Sequence, residues 1–229
     1  MKKILLLFSV LFLGSVFLCS PALAINTLQL DVSDGEAYYD WSTESIVTAA
    51  DEFNLLAFLI PDKKATLALT YYISAAVVPK SPVNTDFGSF EIEWTSYDSA
   101  DMASGTPNAD GVTLGHGGAY FPTLWAQISF TFDKASYIPA YDTQEKYTVD
   151  PAPEPRDDLD MYVRSFAVDV SGLKLGYEIH FDLYARDTKG NLAFAPYSHD
   201  VETVPEPSTM LLLGAGLIGL AAFGRKRFF

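Results

Sequence analysis

The chain has 229 residues, 49% of them hydrophobic and 14% aromatic, which excludes a disordered chain and suits one domain or at most two small ones. With 15 Lys+Arg against 29 Asp+Glu the formal charge is −14, which argues against nucleic acid as a partner, because a phosphate backbone is gripped by bases this chain lacks. Five of the bases but one of the acids lie in the two chain ends, so residues 25–204 hold 10 bases against 28 acids, a body that repels anionic surfaces and attracts cations or basic partners.

Residues 1–24 read as a secretory signal. Lys2 and Lys3 precede an apolar stretch from Ile4 to Leu18, and Ser20-Pro21-Ala22-Leu23-Ala24 supplies a cleavage site at Ala22 and Ala24. The run is short and ends in small residues, which disfavours the alternative of an uncleaved membrane helix. Leu18 before Cys19 disfavours lipidation, which needs a small residue there. Cleavage removes Cys19, the single cysteine, so a mature chain from Ile25 has no disulfide and no thiol nucleophile.

Residues 25–204 are numerous enough to bury one sizeable core. Thr27–Val32 and Ser45–Ala49 open a series of strand candidates. Phe53–Ile60 is an apolar run ended by Pro61-Asp62, of strand rather than helix length. Ala65–Val78 is rich in β-branched and aromatic residues and stops at Pro79. Phe90-Glu-Ile-Glu-Trp94 alternates as a half-exposed strand must. Leu124–Phe132, Met161–Val170 and Gly176–Ala185 follow, the last two predicting a hairpin through Ser171–Leu175. In the last strand Tyr177, Ile179, Phe181 and Leu183 alternate with Glu178, His180 and Asp182, giving one core face and one polar face. Many strands and no long amphipathic helix predict an all-β fold, a single jelly-roll-like β-sandwich over residues 25–204, with a closed barrel as the alternative. Asp98–Pro122, which is glycine-rich, and Ala135–Asp160 read as long loops, with Asp150–Arg156 as an extended polyproline-like crossing.

Several constellations in this body bear on chemistry. Ser198-His199-Asp200 has the residue types of a hydrolase triad, but neighbours in an extended segment point in alternating directions and cannot relay a proton. Zinc would need His116, His180 and His199 brought together or joined by carboxylates. Glu178, His180 and Asp182 share one strand face and offer ligands, although a solvated polar face is the commoner outcome. Asp31, Asp34 and Glu36, and Asp157, Asp158 and Asp160, are clustered oxygen donors in expected loops, the hard ligand set that calcium takes; neither run fits the EF-hand spacing. A glycosidase needs two opposed carboxylates, and 28 acids single out no pair. Trp41, Trp94, Trp125, Tyr71, Tyr72, Tyr120 and Phe121 are candidates for a sugar-stacking platform, with Trp125, after the glycine-rich loop, the first choice. No phosphate loop or dinucleotide fingerprint is present.

Thr27–Leu30, Asn54–Phe58, Leu114-Gly115-His116-Gly117, Phe181–Tyr184 and Ala193–Asp200 resemble choice-of-anchor N proteins, exported bacterial domains that differ mainly in their C-terminal anchor. That resemblance implies no chemistry.

Residues 205–229 begin with Pro205-Glu206-Pro207, continue as an apolar run from Met210 to Phe223 containing three glycines, and end in Arg225-Lys226-Arg227. As a helix the run is about 21 Å long, short of a hydrocarbon core of about 30 Å. It spans only with thinning or snorkelling. The trailing bases hold that end on the cytoplasmic side and leave the acidic body outside. The three elements, in this order, resemble a PEP-CTERM sorting signal. The resemblance implies recognition by an exosortase, a membrane peptidase that removes the tail near Pro-Glu-Pro, and transient residence in the inner membrane. It also implies a Gram-negative, exopolysaccharide-producing host, with release or transfer to the cell surface. A permanent anchor is the alternative. The expectation is therefore an exported surface or matrix protein with a structural or interaction role and no catalytic machinery, needing no cofactor beyond a structural calcium. A module binding exopolysaccharide is the second reading and an exported glycoside hydrolase the third.

Overall fold

A computed structural model describes residues 25–204 apart from 34–35, 108–118, 187–188, 191 and 197–198. The strands are β1 (Leu28–Val32), β2 (Tyr38–Asp40), β3 (Ser45–Thr48), β4 (Glu52–Leu59), β5 (Tyr71–Val78), β6 (Phe90–Ile92) and β7 (Thr95–Tyr97). They continue as β8 (Ala103–Gly105), β9 (Thr123–Phe130), β10 (Tyr137–Ala140), β11 (Arg156–Asp169), β12 (Glu178–Arg186), β13 (Leu192–Phe194) and β14 (Val201–Thr203). One short helix, α1 (Thr143–Thr148), interrupts them. The first sheet runs β1-β4-β11-β6-β7 with β10 on β11; the second runs β2-β3-β14-β12-β5-β9-β8 with β13 on β12. The described residues make a nearly all-β fold, two sheets packed as a sandwich.

Alternation builds the core between the sheets. Leu28, Leu30 and Val32 of β1 and Phe53, Leu55, Ala57 and Leu59 of β4 face Ile73, Ala75 and Val77 of β5 and Ile179, Phe181 and Leu183 of β12. Phe53 meets Phe181 edge to face across the layer, at 6.2 Å. The outer faces are covered as well, which is why β4 reads as a continuous apolar run. Phe58 packs outside the first sheet with Met161, Ile60 and Ala140, against Tyr141 and Ile138 of the β10–α1 segment. Outside the second sheet Tyr120 and Phe121 cover Ala76 and Tyr184.

Four expectations need correction. Met161–Val170 and Gly176–Ala185 do not form a hairpin, because β11 and β12 lie in different sheets. Each has an apolar face turned to the same core from opposite sides, so Ser171–Leu175 arches over the edge of the sandwich. There Gly172 O accepts from Ser89 N at 3.0 Å and Leu173 bridges to Gly88. Ala65–Val78 becomes strand only at Tyr71. The Asp62 carboxylate draws in the amides of Lys64 and Ala65, both at 2.7 Å, and a turn closes from Leu69 N to Thr66 O before the strand starts. The alternating Phe90–Trp94 ends at Ile92, with Glu93-Trp94 as the tip of a two-residue hairpin to β7. The long segment Ala135–Asp160 contains β10, α1 and the first residues of β11. The signal segment and the C-terminal apolar run lie outside the described residues, among which no helix is long and apolar enough to cross a membrane.

Candidate functional site: a buried acidic cluster beside His180

The polar face of β12 is not solvated. In the β5–β12–β14 register His180 lies between Glu202 and Ala76, and Trp125 of β9 follows Ala76. One row along, Asp182 lies opposite Ser74, which pairs in turn with Gln127. On its other side β13 and β14 share the same edge of β12, and the β14 register continued by one residue puts Asp200 beside Asp182. His180, Asp182, Asp200, Glu202 and Ser74 are all buried. The sequence predicts a wet face here because alternation reports only which residues share a face, not what later covers it.

Tyr120 supplies part of the cover. Its ring stacks on the His180 imidazole, 3.7 Å between centroids and 10° from parallel, and its hydroxyl donates to Glu202 Oε2 at 3.1 Å. His180 Nε2 lies 3.5 Å from Asp182 Oδ1. Donor atoms of His180, Asp182 and Asp200 all lie within 4.8 Å of one another. Burying several carboxylates together is costly, and their acidities respond. Burial, reinforced by Asp182, pushes the Asp200 carboxyl well above the usual range. Burial raises Glu202, with His180 opposing. Glu178 is pushed up to about 7 by burial, then by the charge of Glu202 and a hydrogen bond to it. Desolvation also holds the Tyr120 hydroxyl far above its ordinary value. Grouped carboxylates with raised acidities beside an imidazole form a candidate functional site, able to hold protons or to ligate a cation.

Glu202 is the acid of this cluster that the sequence reading does not name, while Asp200 and Tyr120, named there for other roles, belong here instead. Asp200-Val201-Glu202-Thr203 does alternate, the local sign of a strand able to align two more acids with His180. Of the Ser198-His199-Asp200 trio, Ser198 lies outside the described residues and the other two part company. His199 Nε2 meets Asp142 Oδ1 at 3.1 Å and Asn26 at 3.1 Å, while Asp200 joins His180 and Asp182. His116 lies outside the described residues.

The expected loop donors for calcium are placed differently. Asp31 is a buried residue of β1, where its carboxylate accepts from Lys146 Nζ, Tyr141 OH, Tyr147 OH and Val32 N at 2.7 to 2.8 Å. It is a strand residue clamped under α1. Asp34 lies outside the described residues, and Glu36 is exposed. Asp157, Asp158 and Asp160 are exposed on β11, not in a loop, and Asp158 takes a two-point ion pair from Arg156 at 3.2 and 3.0 Å. Trp125 is half-buried, packed against the Tyr120–Tyr184 cluster with its indole nitrogen out of solvent. Trp94 and Trp41 are the exposed tryptophans, at 88% and 70%. Trp94 edges a cleft of about 350 Å³ lined by Glu52, Asn54, Glu91 and Asp169.

The body ends in order: Val204 N donates to Thr48 O at 2.9 Å, tying the last described residue to β3. Immediately there, residues 203–227 match the family model of the PEP-CTERM protein-sorting motif. The chain carries a PEP-CTERM motif. The PEP-CTERM match covers Pro205, Glu206, Pro207 and the basic residues Arg225, Lys226 and Arg227, whose structure lies outside the described residues. It takes in only the last two residues of the body, Thr203 and Val204, and the resemblance of the body to choice-of-anchor N proteins is not confirmed. No curated protein matches the chain. Among solved structures the chain is similar to ACE19, the collagen binding subdomain of the Enterococcus faecalis surface protein ACE, at 10% identity, covering 69% of this chain and 91% of that one with a TM-score of 0.22. The PEP-CTERM motif makes this an exported protein of the exosortase-sorted kind, addressed to the surface of a Gram-negative cell.

Proposed function

We propose that the protein is delivered to the cell surface or its surroundings as an acidic two-sheet module, residues 25–204, with a structural or interaction role there. The signal segment 1–24 starts export, and an exosortase-type peptidase of the inner membrane processes the tail at Pro205-Glu206-Pro207. The observation that carries this reading is the abutment of sandwich and sorting motif. Val204 N still donates to Thr48 O, so a cut beyond it leaves the described pairing of β14 with β3 in place. Replacing Pro205, Glu206 and Pro207 together by alanine in the host tests it. The expected result is retention of the protein in the inner-membrane fraction; an unchanged distribution would contradict it.

A second reading, binding of a polysaccharide, is favoured by Trp94. An indole 88% exposed beside a cleft with three carboxylates and an amide offers a stacking face next to hydrogen-bond partners for hydroxyls. In this reading wild-type protein is retarded in gels containing host exopolysaccharide and Trp94→Ala is not, while Trp125→Ala has the smaller effect. Equal mobility with and without polysaccharide would remove it. In both readings the body binds without turnover, and hydrolysis of a polysaccharide or ester panel, abolished by one Asp or Glu substitution, would establish an enzyme instead.

A further inference from the structure

We propose that His180, Asp182 and Asp200 form a binding site for one first-row divalent transition-metal ion, with zinc the ion their donor set fits best. The argument is first one of distance. A tetrahedral zinc with ligands at about 2.1 Å holds its donor atoms about 3.4 Å apart. His180 Nε2 and Asp182 Oδ1 stand 3.5 Å apart, and the third residue keeps all the donor atoms within 4.8 Å. Little movement is needed to close the three on one ion.

Placement supports it. His180 and Asp182 sit two residues apart on one strand, so the pleat aims both at the same side, and Asp200 stands beside Asp182 just before β14. His180 and Asp182 ride on β12 in the central part of the second sheet, and Asp200 immediately precedes β14 with its carbonyl bonded to Ile46 N at 2.9 Å, which fixes their directions.

A separate observation comes from Ser74. It lies opposite Asp182 on the same face, fully buried, and its hydroxyl finds no hydrogen-bond partner among the described residues. A buried hydroxyl is rarely left so. A metal-bound carboxylate, drawn in by the ion, gives it the acceptor it lacks, the outer-shell contact that ligating carboxylates ordinarily receive.

Electrostatics agrees. Two carboxylates, Asp182 and Asp200, are buried side by side here, and a dication bound between them would neutralise both. The donor types choose among ions. One imidazole with two carboxylates suits zinc and its first-row neighbours, whereas calcium takes six to eight oxygens, more than the site presents.

The test uses the full-length chain stripped with EDTA and titrated with zinc, with stoichiometry read by calorimetry and elemental analysis. The expected result is about one ion per chain, with a melting temperature raised by roughly 5–10 °C at a hundredfold excess over Kd and by much less with calcium. Asp182→Asn with Asp200→Asn, isosteric and uncharged, is expected to weaken zinc binding by more than about a hundredfold, and Ser74→Ala by about tenfold. If the double variant fails to fold, cobalt added to the wild type decides. Intense visible bands of a four-coordinate ion support the site, and the pale spectrum of hydrated cobalt overturns it. Absence of zinc binding, zinc binding undiminished in a folded double variant, or equal stabilisation by calcium also overturns it.

Discussion

Glu178 and Asp142 pull the pH dependence of stability in opposite directions. For Glu178 the folded state holds the proton up to about 7, against an ordinary value of 4.5, so the folded chain binds more protons than the unfolded one across that window. Stability is therefore fully present below about pH 4.5 and falls as pH rises toward 7. Glu178 is half-exposed, and solvent screening limits the effect to about 1 kcal/mol. Asp142 has the reverse sign. Burial pushes its carboxyl up, but His199 and the amides of Glu145 and Gln144 outweigh that and hold it below 3.8, so its contribution is lost as pH falls through that lower value. Urea melts from pH 3 to 8 are expected to show greatest stability near pH 5, with Glu178→Gln flattening the decline toward neutrality. A slope unaltered by Glu178→Gln would contradict the assignment. Asp31 makes a sharper case. Its buried carboxylate depends on one cation, and Lys146→Met leaves that charge facing two tyrosine hydroxyls and one amide, an expected loss of about 2–3 kcal/mol by denaturant unfolding. A change within error would show that the tyrosines alone suffice.

Backbone geometry sets the outcome at the level of elements. Gly88 adopts φ +89° where a Cβ would come within 2.2 Å of Gly172 O, so Gly88→Ala presses the β5–β6 connection against the β11–β12 arch. We expect a loss of about 3 kcal/mol there. Gly105, at φ +124° with open space around it, pays for its alanine only in backbone strain, about 1 kcal/mol. Similar losses at the two sites would refute the packing argument. The β6–β7 tip is a complementary case: Glu93 and Trp94 both hold positive φ, 52° and 68°, in a hairpin that Asn-Gly would fit without strain. Glu93 is anchored by Arg164 and the Ala167 amide, and Trp94 is left in solvent. Asn-Gly in their place is expected to raise stability by about 1 kcal/mol and, under the polysaccharide reading, to abolish retention. The same elements show what the sequence makes legible. Period-two alternation marks β6 and β12, and Pro79 marks the end of β5. Partnering is another matter: β3 pairs in parallel with β14 across more than 150 residues, and no local pattern announces it. For that reason Glu178, His180 and Asp182 can be placed on one face from sequence, while Asp200 and Glu202 join them only through tertiary pairing. Six of the described strands have only three residues, and of these β2, β7, β8 and β13 show no alternation that extends beyond them.

Over the whole molecule, a body with 28 acids and 10 bases stands between two basic, apolar ends, an arrangement that suits transfer across a membrane better than residence in one. The two-sheet core explains how the body survives that passage without a disulfide. The sorting motif begins at the last strand, so under the proposed reading a peptidase would cut beyond the described pairing of β14 with β3. Intact-mass measurement of the protein recovered from its host tests this most directly. The account predicts a single species that begins at Ile25, ends before Met210 and is found outside the inner membrane. A mature chain that still carries Met210–Phe229 and fractionates with the inner membrane would contradict it.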